Sequence, residues 1–391
     1  MNPNSLPLRQ HPKLAVILWS ILLLILGGSC TTDVESGERR PSSPSVSPAP
    51  FDLSLTEIPV EQALEYFQDP VSQEKLSGIE SITQSGWKYV HVISKFGPLG
   101  GSLTSGVYVV LKPGQTLSGY ILLISTLNYP HNFMLLPTLD YRPIQITPDG
   151  SLRPFPRLRL EPGVWRAFRF SLTSPLPEGL HTLIITLIIE PDHFFALNPN
   201  PALFDPAENE AMGFRNDTIE FGLLTWVTSR FPQTVLDWPP QARSIPPDQT
   251  VLLTEAVLLK EKPAPGAPEL FLNKDTARAG ETITYYAKFG MGGKGVAKEE
   301  IPVRVLIFWD ETLTQVDDLS VPTQWAAERK PIPLRISVPT NLTEGEHTLT
   351  VVAYPYPYYL RWWKDGREWH PNAGAFSLPM ARLPVTIESP P

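Results

Sequence analysis

The sequence predicts an all-β protein built from two tandem antiparallel sandwiches, and three observations carry that prediction. The first is the 44 prolines in 391 residues. Each fixes φ and removes a backbone donor, so this density suits turns, edge strands and linkers and is hard to place in helices. The second is an internal repeat with constant spacing. The third is a series of short β-rich runs with no long amphipathic helix between them, which predicts antiparallel sheet packed on sheet. Hydrophobic residues make up 42% of the chain and charged residues 18%, a balance suited to packed β-structure rather than disorder.

Gly114 recurs as Gly280 and Gly179 as Gly345, in both cases 166 residues further along. The segment Phe168 to Leu183, FRFSLTSPLPEGLHTL, aligns without gaps on Leu334 to Leu349, LRISVPTNLTEGEHTL, with eight of sixteen residues shared. Gly114-Gln115-Thr116 matches Gly280-Glu281-Thr282 at the same spacing, and Tyr120 matches Tyr286.

Each half divides into β-rich runs bounded by Pro, Gly or Asn. In the first half these are 87–94, 106–112, 117–125, 133–136, 164–172, 181–189 and 219–227. In the second they are 251–260, 283–289, 303–309, 332–338, 348–354 and 385–388. The expected organisation is a leader over 1–29, a Ser/Pro-rich disordered tether over 30–52 and a short helical segment over 53–85. The first sandwich follows over 86–247 and the second over 248–391. The helical expectation rests on Val60 to Phe67, where apolar residues fall at helical spacing, and this segment reads as a lid on the first sandwich.

Arg9 and Lys13 precede an apolar run from Leu14 to Leu26, after which comes Gly27-Gly28-Ser29-Cys30. The run is shorter than the roughly 20 residues that span a bilayer, and small residues follow it, as in a secretory leader. This stretch resembles the leader of bacterial lipoproteins. The resemblance implies that Cys30 becomes the first mature residue and is acylated, which places the rest of the chain on the outer face of a bacterial membrane. That family usually carries leucine three residues before the cysteine, whereas here Gly27 holds the place and Leu26 is one further back. Cleavage after Ser29 by an ordinary leader peptidase, an uncut signal anchor and a chance thiol at Cys30 are the other readings. A single cysteine makes no internal disulfide. The tether over 30–52, with Pro41, Pro44, Pro48 and Pro50, has little to bury.

The net charge is −8, and loss of Arg9 and Lys13 makes the mature chain more acidic still. With no cluster of Lys and Arg, nucleic acid is not an expected partner.

The stretch Leu-x-Glu-Gly-x-His-Thr-Leu resembles the turn into the sixth strand of immunoglobulin-like and fibronectin-type sandwiches. Where many antibody-type domains place a tyrosine, this chain has His181 and His347, and it lacks their cysteine pair. The resemblance implies the sandwich architecture alone.

Catalytic signatures are missing. There is no phosphate loop, no G-x-S-x-G, no H-E-x-x-H and no EF-hand spacing. His181 and His347 read as structural histidines at turn-to-strand junctions. Asp310-Glu311 and Asp317-Asp318 read as solvated turn acids. Asp205, Glu208, Glu210 and Asp217 could offer oxygen ligands to calcium, with a solvated loop as the alternative. No cofactor or metal is expected, and the chain is not expected to be an enzyme.

Two long segments follow the matched sixth strands, at one end of each sandwich, where binding residues collect on a rigid scaffold. The first, 191–217, contains Phe194 and Phe195. The second, 355–379, contains Tyr358, Tyr359, Trp362, Trp363, Trp369 and His370. Rings at this density either fold back as a satellite core or meet a ligand. The leading expectation is a membrane-anchored scaffold that recruits an envelope protein through these loop ends. A carbohydrate-binding surface lipoprotein is the first alternative, and a hydrolase with an unfamiliar site is the second.

Overall fold

The computed structural model describes residues 51–84, 89–104, 108–147, 155–192, 218–229, 243–245, 252–262, 272, 274–292, 301–321, 331–355, 359–364, 369–372 and 380–388. All of them belong to one compact unit, residues 44–391.

The chain opens with strand β1 (Asp52–Ile58), helix α1 (Val60–Leu64), a 3-10 turn (Glu65–Phe67) and helix α2 (Pro70–Gln84). The first sandwich continues with β2 (Val90–Pro98), β3 (Tyr108–Leu111), β4 (Leu117–Ser125), β5 (His131–Leu139), β6 (Arg142–Pro143) and β7 (Gln145–Thr147). It ends with β8 (Arg157–Leu160), β9 (Trp165–Leu172), β10 (Gly179–Ile189) and β11 (Thr218–Val227). After β12 (Arg243–Ile245), the second sandwich holds β13 (Leu252–Leu259), β14 (Asp275–Arg278), β15 (Thr282–Gly292), β16 (Ile301–Trp309) and β17 (Thr312–Val321). It closes with β18 (Ile332–Ser337), β19 (Gly345–Pro355), β20 (Tyr359–Lys364), β21 (Trp369–Asn372) and β22 (Met380–Glu388).

In the first sandwich one sheet runs β2-β4-β9-β1-β7, and the other runs β3-β11-β10-β5-β6 with β8 also on β5. Leu53, Phe96, Phe133, Phe170 and Leu187 fill the space between them. In the second, β13-β15-β18 faces β14-β22-β19-β16-β17 over Tyr285, Ile307, Trp309, Leu349 and Val385. The glycines that define the repeat sit where the chain turns with positive φ, Gly114 at 82°, Gly280 at 84°, Gly179 at 138° and Gly345 at 132°. Side chains other than glycine rarely adopt these angles, which is why the same residue recurs at the same place in both copies.

Three expectations need correction. Residues 53–58 are strand, not helix: Leu53 and Leu55 alternate into the core with period two, and helical spacing begins only at Val60. The sheets are not purely antiparallel, because β1 pairs with β7, β3 with β11, β12 with β20 and β14 with β22 in parallel. The bar on parallel pairing without a crossover helix concerns strands that follow one another directly, whereas these partners are far apart in sequence, so the chain has room to cross over between them. Asp317 and Asp318 lie inside β17 rather than in a turn, where Arg304 grips Asp318 with two hydrogen bonds of 2.7 and 2.9 Å.

The helices lie over the outer face of the β2-β4-β9 sheet, with Ala63, Phe67 and Ile79 against Ile93, Leu122, Ile124 and Ala167. Asp69 caps α2 by accepting from the Ser72 amide at 3.1 Å and its hydroxyl at 2.6 Å, and Pro70 takes the first turn, where no donor is needed. Lys95 of β2 reaches Asp69 at 2.6 Å. Burial works against the charge of Asp69, but Lys95 and Ser72 outweigh it and hold the carboxyl well below the usual range. Among the described residues no helix is long and apolar enough to cross a membrane.

Candidate binding surface

The second aromatic segment is not a plain loop. Tyr359–Lys364 and Trp369–Asn372 form an antiparallel ribbon, and Arg243–Ile245 adds to it in parallel. Trp363 is opposite His370 and Lys364 opposite Trp369. Positions 362, 364, 369 and 371 therefore fall on one face of the ribbon, and 361, 363, 370 and 372 on the other. The β21 backbone comes within 8 Å, Cα to Cα, of β11 in the first sandwich. Tyr358, Phe194, Phe195, Cys30 and the acidic cluster Asp205, Glu208, Glu210 and Asp217 lie outside the described residues, as does the tether over 30–50. The ribbon thus brings Tyr359, Trp362, Trp363, Trp369 and His370 into one small sheet.

The repeated histidines have the same partners in both copies. His181 Nδ1 meets Asp140 Oδ2 at 2.8 Å and Nε2 meets the Pro177 carbonyl at 3.0 Å. His347 Nδ1 meets Asp310 Oδ2, and Nε2 meets the Thr343 carbonyl at 2.8 Å. The other carboxylate oxygen accepts the amide of Thr182 at 2.9 Å, or of Thr348 at 2.8 Å. A nitrogen facing a carbonyl must carry a proton, and one facing a carboxylate is best served by one, so both rings favour the imidazolium. Burial opposes the charge in each case, yet the carboxylate and the carbonyl outweigh it and the pKa is raised. Asp310 is therefore held by His347 rather than simply solvated.

The clamped acids open two-residue hairpin turns in which both residues have positive φ, Asp140 at 52° with Tyr141 at 58°, and Asp310 at 47° with Glu311 at 66°. Such turns suit the twist of a hairpin but are strained for residues other than glycine. The clamp offsets that strain.

Between the sandwiches lies a third apolar layer. Met134, Leu136, Ile184 and Ile188 of the first copy pack against Leu306, Phe308, Val352, Tyr354 and Met380 of the second. Tyr141 meets Tyr354 edge-on at 5.6 Å, and Phe155 meets Phe308 at 5.5 Å. At the rim, Arg157 binds Asp192 of its own copy and Glu311 of the other, the latter at 2.5 Å. Arg382 of the second copy donates to the Pro191 carbonyl at 2.5 Å, and burial draws its guanidinium down to about 10 against the pull of Glu311 and Asp192.

Of these joint residues only Glu311 was singled out from sequence, and then as a solvated turn acid rather than a partner of Arg157. The available signal was that β5, β10, β16 and β19 are apolar on both alternations, the mark of strands covered on two sides.

The outer faces of the sheets are accounted for among the described residues. The helices cover one, the two copies cover each other's, and the face of β15 and β18 presents Thr284, Tyr286, Lys288 and Arg335 to solvent or near it. At the spacing of the repeat, Lys288 stands where the first copy has Leu122 under its lid, and Pro333 where it has Ala167. Among the described residues no group of three or more His, Cys, Asp or Glu could hold a metal ion.

Neither a family model nor a curated protein sequence matches the chain. Among solved structures it is similar to the CARDB domain of the PF1109 protein of Pyrococcus furiosus in complex with di-metal ions. That match has 10% identity and a TM-score of 0.18, over 35% of this chain and 96% of that one. A red sea bream transglutaminase is matched at 7% identity and a TM-score of 0.20, over 82% of this chain and 34% of that one. The secreted serine protease VesC of Vibrio cholerae is matched at 6% identity and a TM-score of 0.19, over 64% and 45%. The chain spans less than half the length of these two enzymes. At such TM-scores the likenesses carry no argument about function, and the sandwich architecture stands on the sheets themselves.

Proposed function

We propose that the chain is an exported module of tandem immunoglobulin-like sandwiches, held by an acylated Cys30 on the outer face of a bacterial membrane, that binds a protein of the envelope and turns over no substrate. The observation that carries this reading is the closure of the apolar sheet faces. Each is covered by the helices or by the other copy, so the sandwiches have no broad apolar surface left for a partner among the described residues. Recognition then falls to the ends, where the ribbon gathers Tyr359, Trp362, Trp363, Trp369 and His370, with Tyr358 next to it in sequence and Phe194 and Phe195 in the matching insert of the first copy. The absence of turnover is supported by both clamped histidines, whose ring nitrogens are engaged by a carboxylate and a carbonyl and so are poor general bases.

The test has two arms. Mass spectrometry of the mature chain should find Cys30 at its start with acyl groups attached; an unmodified thiol behind an uncut leader contradicts the anchor. Crosslinking in native membranes should capture a partner that disappears when residues 356–379 are replaced by a Gly-Ser linker, and the same captured proteins from both chains contradict the binding role.

A carbohydrate ligand is the second reading, favoured by the ribbon register that puts positions 362 and 369 on one face. Tryptophan fluorescence that stays unchanged across a panel of cell-wall glycans removes it.

A further inference from the structure

The two clamps and the joint share a feature that neither explains alone. In each copy the residue after the clamped aspartate is the one that reaches across. Tyr141 follows Asp140 and packs on Tyr354 of the second copy. Glu311 follows Asp310 and binds Arg157 of the first. The contacts are reciprocal, although one is aromatic and the other ionic.

We infer that His181 and His347 are positioning residues for the joint: each, when doubly protonated, holds the turn by which its copy grips the other, so the packing at the joint follows histidine protonation. The inference does not depend on what the inserts bind. Its mechanism is local. Loss of a proton leaves the Nε2–H on the carbonyl and turns Nδ1 into an acceptor facing a carboxylate, so the contact becomes repulsive. The aspartate keeps the amide of Thr182, or of Thr348, but loses the histidine, and the strained turn is less constrained at the residue that crosses the joint.

Few other charges bear on the rings. His181 faces Asp140 from the turn and the Pro177 carbonyl from the preceding loop, its cross-strand neighbour on β11 is the neutral Thr225, and Glu178 is exposed. His347 faces Asp310 and the Thr343 carbonyl, its neighbour on β22 is Val385, and Glu344 and Glu346 are exposed. Among the described residues the aspartate is, in both copies, the one charged group that raises the histidine pKa.

The chain carries its own reporters, because two of its five methionines, Met134 and Met380, lie in the joint. The experiment is methyl NMR of the full chain in detergent with 13C-methyl methionine, titrated from about pH 5.5 to 8.5, with the histidine ring signals followed in parallel. The Met134 and Met380 methyls should move with the midpoints of His181 and His347, and Met212 and Met291, which remain once the leader carrying Met1 is removed, serve as controls. In the His181→Gln, His347→Gln double variant that response should vanish. His347→Gln alone, at the more exposed clamp, should remove part of it if the double variant does not fold. Glu311→Gln should displace both methyl signals at every pH and leave the histidine midpoints nearly unchanged. Methyl signals that stay still while the rings titrate, or that keep their full pH response in a folded clamp variant, overturn the inference.

Discussion

The two sandwiches share a turn, a clamp and a core, yet they close their exposed surfaces in different ways. In the first, β9 is covered by an added strand: β1 pairs with it from Leu53↔Leu172 to Ile58↔Ala167, and the helices that follow cover the adjoining face. In the second, the matching strand β18 is an edge. There the Gln315 side chain donates to the Arg335 carbonyl at 2.7 Å and accepts from the Ser337 amide at 3.1 Å, and Trp309 donates to the Ser337 carbonyl at 3.2 Å. Pro333, two residues back on the same side of the strand, offers no amide at all. One copy satisfies its edge with a strand, and the other blunts it with a side-chain amide and a proline, a known protection against edge-to-edge pairing. The lesson is that a repeat conserves what sets the turn and the core, while edges and outer faces follow from what each copy has beside it.

Exchanging residues between the copies should break this comparison most sharply. Leu122→Lys puts the Lys288 residue under the lid, at a site with 0% exposure. The expected loss is at least about 4 kcal/mol by chemical denaturation, since an ammonium would be buried without a partner. The reverse exchange, Lys288→Leu, should stay within about 0.5 kcal/mol. Similar costs for the two would mean that the faces are not distinct. Phe67→Ala, which hollows the lid alone, should cost about 3–5 kcal/mol.

Gln315→Ala should have a smaller effect on stability, about 1 kcal/mol, and a visible one on association. Opening the β18 edge should give concentration-dependent self-association in sedimentation velocity. A variant that remains monomeric at every concentration would show that Pro333 is sufficient.

The smallest expected effect is in pH dependence. Because the folded pKa values of His181 and His347 are raised, their contribution is complete below the unfolded value of about 6.5 and is lost as pH rises through the folded values. Thermal stability measured from pH 6 upward should fall more steeply in the native chain than in His181→Gln. His91 acts in the opposite sense. Burial lowers its pKa, so it takes stability away as pH falls below about 6.5, and His91→Gln should flatten the acid side of the same curve.

Much of the fold could be read from the residues. Gly114, Gly179, Gly280 and Gly345 mark positive-φ turns, and the runs around Leu117, His181, Val303 and Thr348 became β4, β10, β16 and β19. The strand at Asp52 was hidden because two buried residues in seven, Leu53 and Leu55, are a weak signal beside the helical spacing that follows them. β17 was hidden by its acids, since Asp317 and Asp318 on an edge strand look like a turn until Arg304 is placed opposite them. The clamp was half legible: the histidines recur at the repeat spacing, but Asp140 and Asp310 are 170 residues apart, so the acid partner is out of register. The ribbon at 359–372 was masked by its own composition, because aromatic and basic residues crowded between prolines read as an insert.

The central structural claim is that two sandwiches joined face to face behave as one body. Differential scanning calorimetry of the full chain tests it most directly. A single transition is expected, with calorimetric and van't Hoff enthalpies in agreement, splitting into two when Leu306→Asp places a charge in the joint. Two independent transitions in the unaltered chain would contradict it.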